Sequence, residues 1–311
     1  MVLAVGILWW MYRGIRWEEL VDALSHQMSW TWMLLSMPFG VLAQVLRAMR
    51  WRQVLAPAGE RPRLSTCTHA VFLSYASSLV VPRVGEVLRC GVLKRYEGTN
   101  FSCCVGTVVT ERIIDTLLIL LLSFLTFLTQ IPVFLTFFQH TGVSLGGLLG
   151  SFSLTGWLVT AACGLLAVLF VLLLVKKSPL RGKFEGVWNG LLSVRDVEQP
   201  LLFVLYSVGI WVSYYLHFYL TFFCFDFTSG LGPLAALVAF VVGTFAVLVP
   251  TPNGAGSWHF AVKTVLVLYG VEQTAAAVFV LIVHTLQTLL VALLGVWSAT
   301  ALALRKEKRK E

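Results

Sequence analysis

The sequence predicts an all-α polytopic membrane protein, with about six spanning helices and two re-entrant helix–break–helix hairpins in an inverted repeat. Three observations carry this reading. The 311 residues are 58% hydrophobic and only 12% charged, whereas a soluble domain carries about a quarter charged residues. Apolar runs recur at 30–46, 103–128, 152–175, 200–225, 233–250 and 273–304, most of them near the ~20 residues that cross a bilayer as a helix. Two further stretches of helical length are split in the middle by Pro/Gly clusters. Strict alternation is missing from the runs, which argues against a β-barrel.

The first apolar run, 2–12, is short for a span. It has neither a basic n-region nor a small-residue cleavage site, so it reads as a first helix rather than a removable signal peptide. Its brevity raises the question of a true start upstream of Met1. Basic residues then set the topology. Arg50, Arg52, Arg61 and Arg63 follow the second helix; Lys94 and Arg95 follow the next apolar pair; Lys176, Lys177, Arg181 and Lys183 follow the 152–175 run. Arg305, Lys306, Lys308, Arg309 and Lys310 form the tail. The positive-inside rule puts all four groups in the cytoplasm, with both termini. The expected location is the cell (inner, cytoplasmic) membrane.

Under this topology, segments 65–98 and 233–270 each begin and end on one side. Each holds a break, at Pro82-Arg83-Val84-Gly85-Glu86 and at Pro250-Thr251-Pro252-Asn253-Gly254-Ala255-Gly256. The helix-breaking residues are Pro82, Gly85, Pro252, Gly254 and Gly256. Irregular backbone at membrane depth is tolerated where it lines a cavity or is buried in protein.

The two halves also match. Arg112-x-x-Asp115-Thr116-Leu117-Leu118 parallels His284-x-x-Gln287-Thr288-Leu289-Leu290, 172 residues on. Gly98 and Gly270 share that offset, and Pro82 and Pro252 differ by 170. Trp17–Met28 and Phe184–Val194 both read as short amphipathic interfacial helices. The chain is read as one transmembrane domain over 1–311: repeat one about 1–128, repeat two about 152–304, and a basic tail 305–311. Opposed repeats with broken helices are the plan of many transporters, with the substrate site at the repeat interface.

Ionisable residues in apolar segments cost at least ~2.5–3.5 kcal/mol each at a helix centre and are functional candidates by default. Arg83, Glu86 and Arg89 cluster at the first break, where a restarting helix presents free N–H groups suited to an anion and arginine adds a planar fork of donors. Glu86 and Arg89 stand three apart and are expected to pair; a cluster that merely holds the hairpin is the competing reading. Glu111, Arg112 and Asp115 lie near the start of helix 103–126, with one internal ion pair expected. At the second break Asn253 leads towards His259 and Lys263, one turn apart on one face. His259 is read either as a proton-coupling group or as a donor to a buried carbonyl. His284 and Gln287 read as interhelical glue. Arg47, Arg50 and Arg52 read as cytoplasmic anchors or headgroup contacts, with Trp51 in the aromatic belt. The candidate substrate-binding set is therefore Arg83, Glu86, Arg89, Glu111, Arg112, Asp115, Asn253, His259 and Lys263.

Other chemistries lack their motifs. The four Asp residues (Asp22, Asp115, Asp196 and Asp226) form no cluster able to hold Mg²⁺, and there is no His-Glu-x-x-His, Gly-x-Ser-x-Gly or Walker loop. The six cysteines have no zinc or disulfide spacing and read as buried small residues. No metal and no cofactor is expected. The net charge of +8 is explained by cytoplasmic loops and is compatible with anionic headgroups. A nucleic-acid partner has no motif behind it.

Four motifs resemble a known family. Leu46-Arg47-Ala48-x-Arg50-Trp51-Arg52, Pro82-Arg83-x-Gly85-Glu86-x-x-Arg89, Thr110-Glu111-Arg112-x-x-Asp115 and Pro252-Asn253-Gly254-x-Gly256 are similar, in order, to the lysylphosphatidylglycerol synthase transmembrane family, the flippase-like domain proteins. The resemblance implies a stand-alone lipid-translocating domain that moves lipid between leaflets. Bifunctional members add a cytoplasmic synthase domain; this chain ends after its last helix, so no aminoacyl transfer and no enzyme activity is expected. Two departures fall where a headgroup would sit: Arg83 follows Pro82 without the extra Gly of many members, and His259 stands where an acidic residue is common. The expected partners are phosphate-containing membrane lipids, with homo-oligomerisation left open. The alternatives are a small-solute or ion secondary transporter, and a non-transporting partner of a glycolipid- or lipid-modifying enzyme.

Overall fold

The computed structural model describes residues 2–13, 16–131, 181–249 and 251–305. The 152–175 run, Cys163, Lys176, Lys177 and the tail beyond Arg305 lie outside the described residues. Among the described residues there is no strand. The helices are α1 (Val2–Tyr12), α2 (Trp17–Asp22), α3 (Trp30–Leu55), α4 (Leu64–Ser78), α5 (Val84–Glu97) and α6 (Phe101–Thr129). After the undescribed stretch come α7 (Arg181–Leu192), α8 (Pro200–Tyr219), α9 (Gly232–Ala246), α10 (Ser257–Leu268) and α11 (Gln273–Ala303).

Among the described helices, α3, α6, α8 with its continuation to Cys224, and α11 are long and apolar enough to cross a membrane. At 1.5 Å per residue, the 11 residues of α1 reach about half the ~30 Å of a hydrocarbon core. Outward faces are apolar: Leu117, Leu121, Phe124 and Leu128 on α6, and Leu289, Leu293 and Val296 on α11, are all at least half exposed. In water such faces would be a liability, whereas against acyl chains they are the expected surface.

Both interrupted segments fold as helix–break–helix hairpins, α4–α5 and α9–α10, whose arms pack on each other. The breaks share their chemistry. Each has a proline followed by a left-handed residue: Arg83 (φ 64°) after Pro82 and Asn253 (φ 51°) after Pro252, the two non-glycine residues with positive φ among those described. Proline removes a donor and disfavours helix in its predecessor, and one left-handed residue then turns the chain into the next helix. Gly85 is required by packing, because a Cβ there would overlap the Ser74 carbonyl of the opposite arm.

The correspondence continues beyond the breaks. Gly98 (φ 69°) and Gly270 (φ 89°) close α5 and α10 in the left-handed region. Asn100 and Glu272 cap α6 and α11, each side chain accepting from backbone N–H groups of the first turn. Each hairpin leans on the long helix of the other half. Arm α4 packs on α11, with His69 Nδ1 3.1 Å from Ser298 Oγ, and α9 packs on α6. Helices α3 and α8 pair along their length between them. The α7 helix lies closely on α6, where Thr110 Oγ1 donates to the Leu191 carbonyl (2.9 Å).

Two buried cores result. One gathers Trp51, Leu55, Val71, Leu93, Val108 and Leu302; the other gathers Phe218, Phe222, Phe279, Val262 and Leu266. The five described cysteines are all free and buried, as small core residues. A cavity with charged and polar side chains set in an otherwise apolar lining lies between the two halves.

Candidate functional site

The cavity has a volume of about 710 Å³ and is lined from both halves. Long helix α6 contributes Arg112, Asp115, Thr116 and Ile119; α11 contributes their counterparts 172 residues on, His284, Gln287, Thr288 and Val291. From the α3–α8 pair come Gln44 and Arg47, with Tyr214 and His217 at an offset of 170. The breaks contribute Arg83 and Asn253. The tips touch, since Arg83 Nη2 donates to the Leu248 carbonyl at 3.3 Å.

Among the described residues that line the cavity, those of the first half carry all the formal charge. Asp115 Oδ2 takes Arg47 Nη1 at 2.6 Å and Arg112 Nη2 at 3.2 Å, while its Oδ1 takes Arg50 Nη2 at 2.7 Å. Glu111 sits behind the wall with Arg89 Nη2 at 2.7 Å on one oxygen and Arg50 Nη2 at 3.4 Å on the other. Arg89 also lies 4.6 Å above the Trp51 ring, and the Trp51 indole donates to Thr107 Oγ1 (2.9 Å). The Glu86–Arg112 contact is looser, 3.5 Å, and about 40% exposed on both sides. Four arginines (Arg47, Arg50, Arg89 and Arg112) thus meet three carboxylates (Glu86, Glu111 and Asp115), and with Arg83 at the tip the formal charge is +2. Arg112 stands 11 residues into α6, about 16 Å along the helix, well inside the apolar region.

The second half supplies hydrogen bonds without formal charge. His284 Nε2 is 3.1 Å from the Asn253 carbonyl, and the Asn253 amide donates to Thr288 Oγ1 at 2.8 Å. Gln287 donates to the His217 carbonyl (3.0 Å). Gly256 N–H donates to His259 Nδ1 (3.3 Å), whose ring packs 4.4 Å from that of His284. The second break is therefore held by a local imidazole–amide network.

Of the residues expected from sequence, Arg83, Glu86, Arg89, Arg112, Asp115 and Asn253 line the one chamber. Glu111 braces its wall. His259 is buried behind the second break, where its Nδ1 accepts from the Gly256 N–H instead of donating to a buried carbonyl. Lys263 does not line the cavity; it is half-buried further along α10. The expected Glu86–Arg89 pair is replaced: Glu86 meets Arg112 and Arg89 meets Glu111, because α6 brings opposite charges closer than the helix's own next turn. The Arg112–Asp115 pair forms but is one contact among three on Asp115.

Arg47, Arg50 and Trp51 correct the anchor reading. They are 4%, 0% and 0% exposed, at the centre of the network. The available signal was spacing. Two arginines three apart on α3 complement Glu111 and Asp115, four apart on α6. The Arg112–His284 correspondence extends to two further pairs: His217 and His259 occupy the positions of Arg47 and Arg89, both at an offset of 170.

Comparison with known proteins agrees with this architecture. Residues 1–295 match the family described as lysylphosphatidylglycerol synthase TM region. An 80-residue stretch, 25% of the chain, is 31% identical to the protein named glycosyltransferase AglD of Haloferax volcanii. That stretch spans only 13% of the relative's length. No solved structure matches the chain. With its broken hairpins, its charged chamber and a family match over nearly its full length, this multi-pass membrane protein belongs to the lysylphosphatidylglycerol synthase transmembrane family.

Proposed function

We infer that the protein moves a phosphate-bearing membrane lipid between leaflets, its headgroup passing through the chamber while its chains stay in the bilayer. The observation that carries this is the rim. Beside the charged chamber, Val80, Val81 and Val87 of the first tip and Val247, Leu248 and Val249 of the second are 37–73% exposed. Three of them line the cavity itself. A mouth for a water-soluble solute would be polar. An apolar rim opening on a guanidinium-lined chamber suits a molecule with a tail at one end and a phosphate at the other.

The chemistry within supports an anion. Arg83 is exposed, and Arg112 is 41% exposed and held mainly by the Asp115 contact. Both forks can turn to phosphate oxygens. Arg89, at 2% exposure and bound to Glu111, is a poorer donor and serves to position Glu111. Helices α5 and α10 both begin at the breaks, which adds the positive ends of two helices. Rocking of the halves about the α3–α8 pair would present the chamber to each leaflet in turn. The role is transport rather than catalysis. The family's name, the transmembrane region of a lipid synthase, fits a lipid-associated task.

Leaflet exchange in proteoliposomes tests this. Wild-type protein should accelerate inward loss of a fluorescent phospholipid over protein-free vesicles, and Arg83→Ala or Arg112→Gln should reduce the rate at least about tenfold. Among the described residues the exposed Arg83 side chain bonds to the Leu248 carbonyl at the tip and to no carboxylate, so its variant should fold normally. Equal exchange by wild type and empty vesicles would overturn the reading.

A further inference from the structure

We propose that the chamber selects a phosphate lipid whose headgroup is uncharged and rich in hydroxyls, such as a sugar or glycerol, over a lipid with a cationic headgroup. This rests on the translocation reading above and adds the substrate class to it.

The carboxylates come first. A cationic headgroup needs a negative charge to meet it, and each carboxylate of the chamber among the described residues already faces arginine. Asp115 is held by three arginines, Glu111 by two, and Glu86 faces Arg112. The chamber's formal charge of +2 repels an ammonium. Its aromatic faces, Trp211, Tyr214, Phe240 and Trp258, would otherwise attract one.

Among the described residues, the part of the lining that comes from the second half carries no Asp, Glu, Lys or Arg. It offers Asn253, Gln287, Thr244, Thr251, Thr288 and Tyr214. Amide, hydroxyl and indole groups beside aromatic faces match a molecule with polar edges and C–H faces.

Of the several unpartnered buried atoms on lining residues, the two on uncharged side chains sharpen the match. The Gln44 Oε1 acceptor and the Trp211 Nε1–H donor are buried, and neither finds a hydrogen-bond partner among the described residues. Both residues line the cavity, on the paired helices α3 and α8. A buried polar group without a partner is destabilising and calls for one. One lacks a donor and the other an acceptor, and a hydroxyl supplies both.

The test is binding of short-chain lipids to the purified full-length protein in detergent, read by quenching of tryptophan fluorescence. The probes are dioctanoyl phosphatidylglycerol, phosphatidylinositol, phosphatidic acid, phosphatidylcholine and the lysyl ester of phosphatidylglycerol. Phosphatidylglycerol or phosphatidylinositol should bind at least about tenfold more tightly than phosphatidylcholine or the lysyl ester. The stronger of the two identifies an open-chain or a ring polyol. Gln44→Leu should remove most of the preference for polyol lipid over phosphatidic acid, about tenfold for one lost hydrogen bond at a buried site. Trp211→Phe keeps the ring, removes the donor, and should act in the same direction. Tighter binding of the lysyl ester overturns the proposal, as does equal binding of all anionic lipids with no effect of either variant. In both cases the translocation reading survives. If no lipid binds, both fall.

Discussion

Asp115→Asn is the substitution with the most calculable consequence. The change is nearly isosteric and removes one charge from a carboxylate that is 9% exposed and touches three guanidinium groups at 2.6, 2.7 and 3.2 Å. Removing one member of a buried ion-pair set leaves uncompensated charge and costs about 3–5 kcal/mol. At roughly 2 °C per kcal/mol for a chain of this size, the melting temperature should fall by about 6–10 °C. Glu86→Gln is the built-in comparison. Its partner lies at 3.5 Å and both side chains are about 40% exposed, so its loss should cost less than about 1 kcal/mol and shift the melting temperature by no more than ~2 °C. Both are read by thermal unfolding of the purified protein in detergent. If Asp115→Asn melts within 2 °C of wild type, or Glu86→Gln falls as far as Asp115→Asn, the picture of a desolvated network with a loose outer pair is wrong.

Other consequences follow from close contacts and from the cytoplasmic edge. Gly85→Ala should prevent the first hairpin from closing, because its Cβ would overlap the Ser74 carbonyl, and should abolish recovery of monodisperse protein. Gly91→Ala, with open space around it on the same helix, should leave recovery unchanged and add about 0.5–1 kcal/mol of stability. At the end of α5, burial pushes the Glu97 carboxyl up, but the Thr66 hydroxyl and the Arg63 guanidinium outweigh it and hold it below its ordinary value of 4.5. A depressed carboxylate stabilises the fold above its unfolded value and loses that contribution as pH falls through the folded one. Wild type should therefore be more stable than Glu97→Gln at pH 7, and the gap should close as the pH is lowered below 4.5. A gap that is constant with pH would show that the Glu97 contacts contribute nothing as a charge.

The hairpins were legible because prolines, glycines and basic loops act locally and through topology. Pro82 and Pro252 interrupt segments that must begin and end on the same side, and the structure breaks the helices at those residues. The ion-pair partners were not legible in the same way. Glu86 and Arg89 look like neighbours along one helix, yet each finds a stronger partner on α6, because three-dimensional distance overrides a three-residue spacing. Arg47 and Arg50 follow an apolar run and precede Arg52, which is the ordinary pattern of a cytoplasmic helix end. Their burial follows from α6 lying alongside, which α3 alone does not encode. The histidines at the positions of Arg47, Arg89 and Arg112 were visible in the text of the chain. Only a shared cavity makes their meaning plain: one half carries charge, and the other carries neutral polar groups in the same framework.

The central claim is that a lipid headgroup occupies the chamber between the two tips. Photolabelling addresses it most directly. A phosphatidylglycerol with a diazirine next to its phosphate would be incorporated with the protein into vesicles and activated, and the labelled residues mapped by peptide mass spectrometry. The account predicts adducts on chamber residues, Gln44, Trp211, Asn253 or Thr288, that are competed away by excess unlabelled lipid. Adducts confined to outward-facing positions such as Leu117, Phe124, Leu293 or Val296, with none inside, would contradict it.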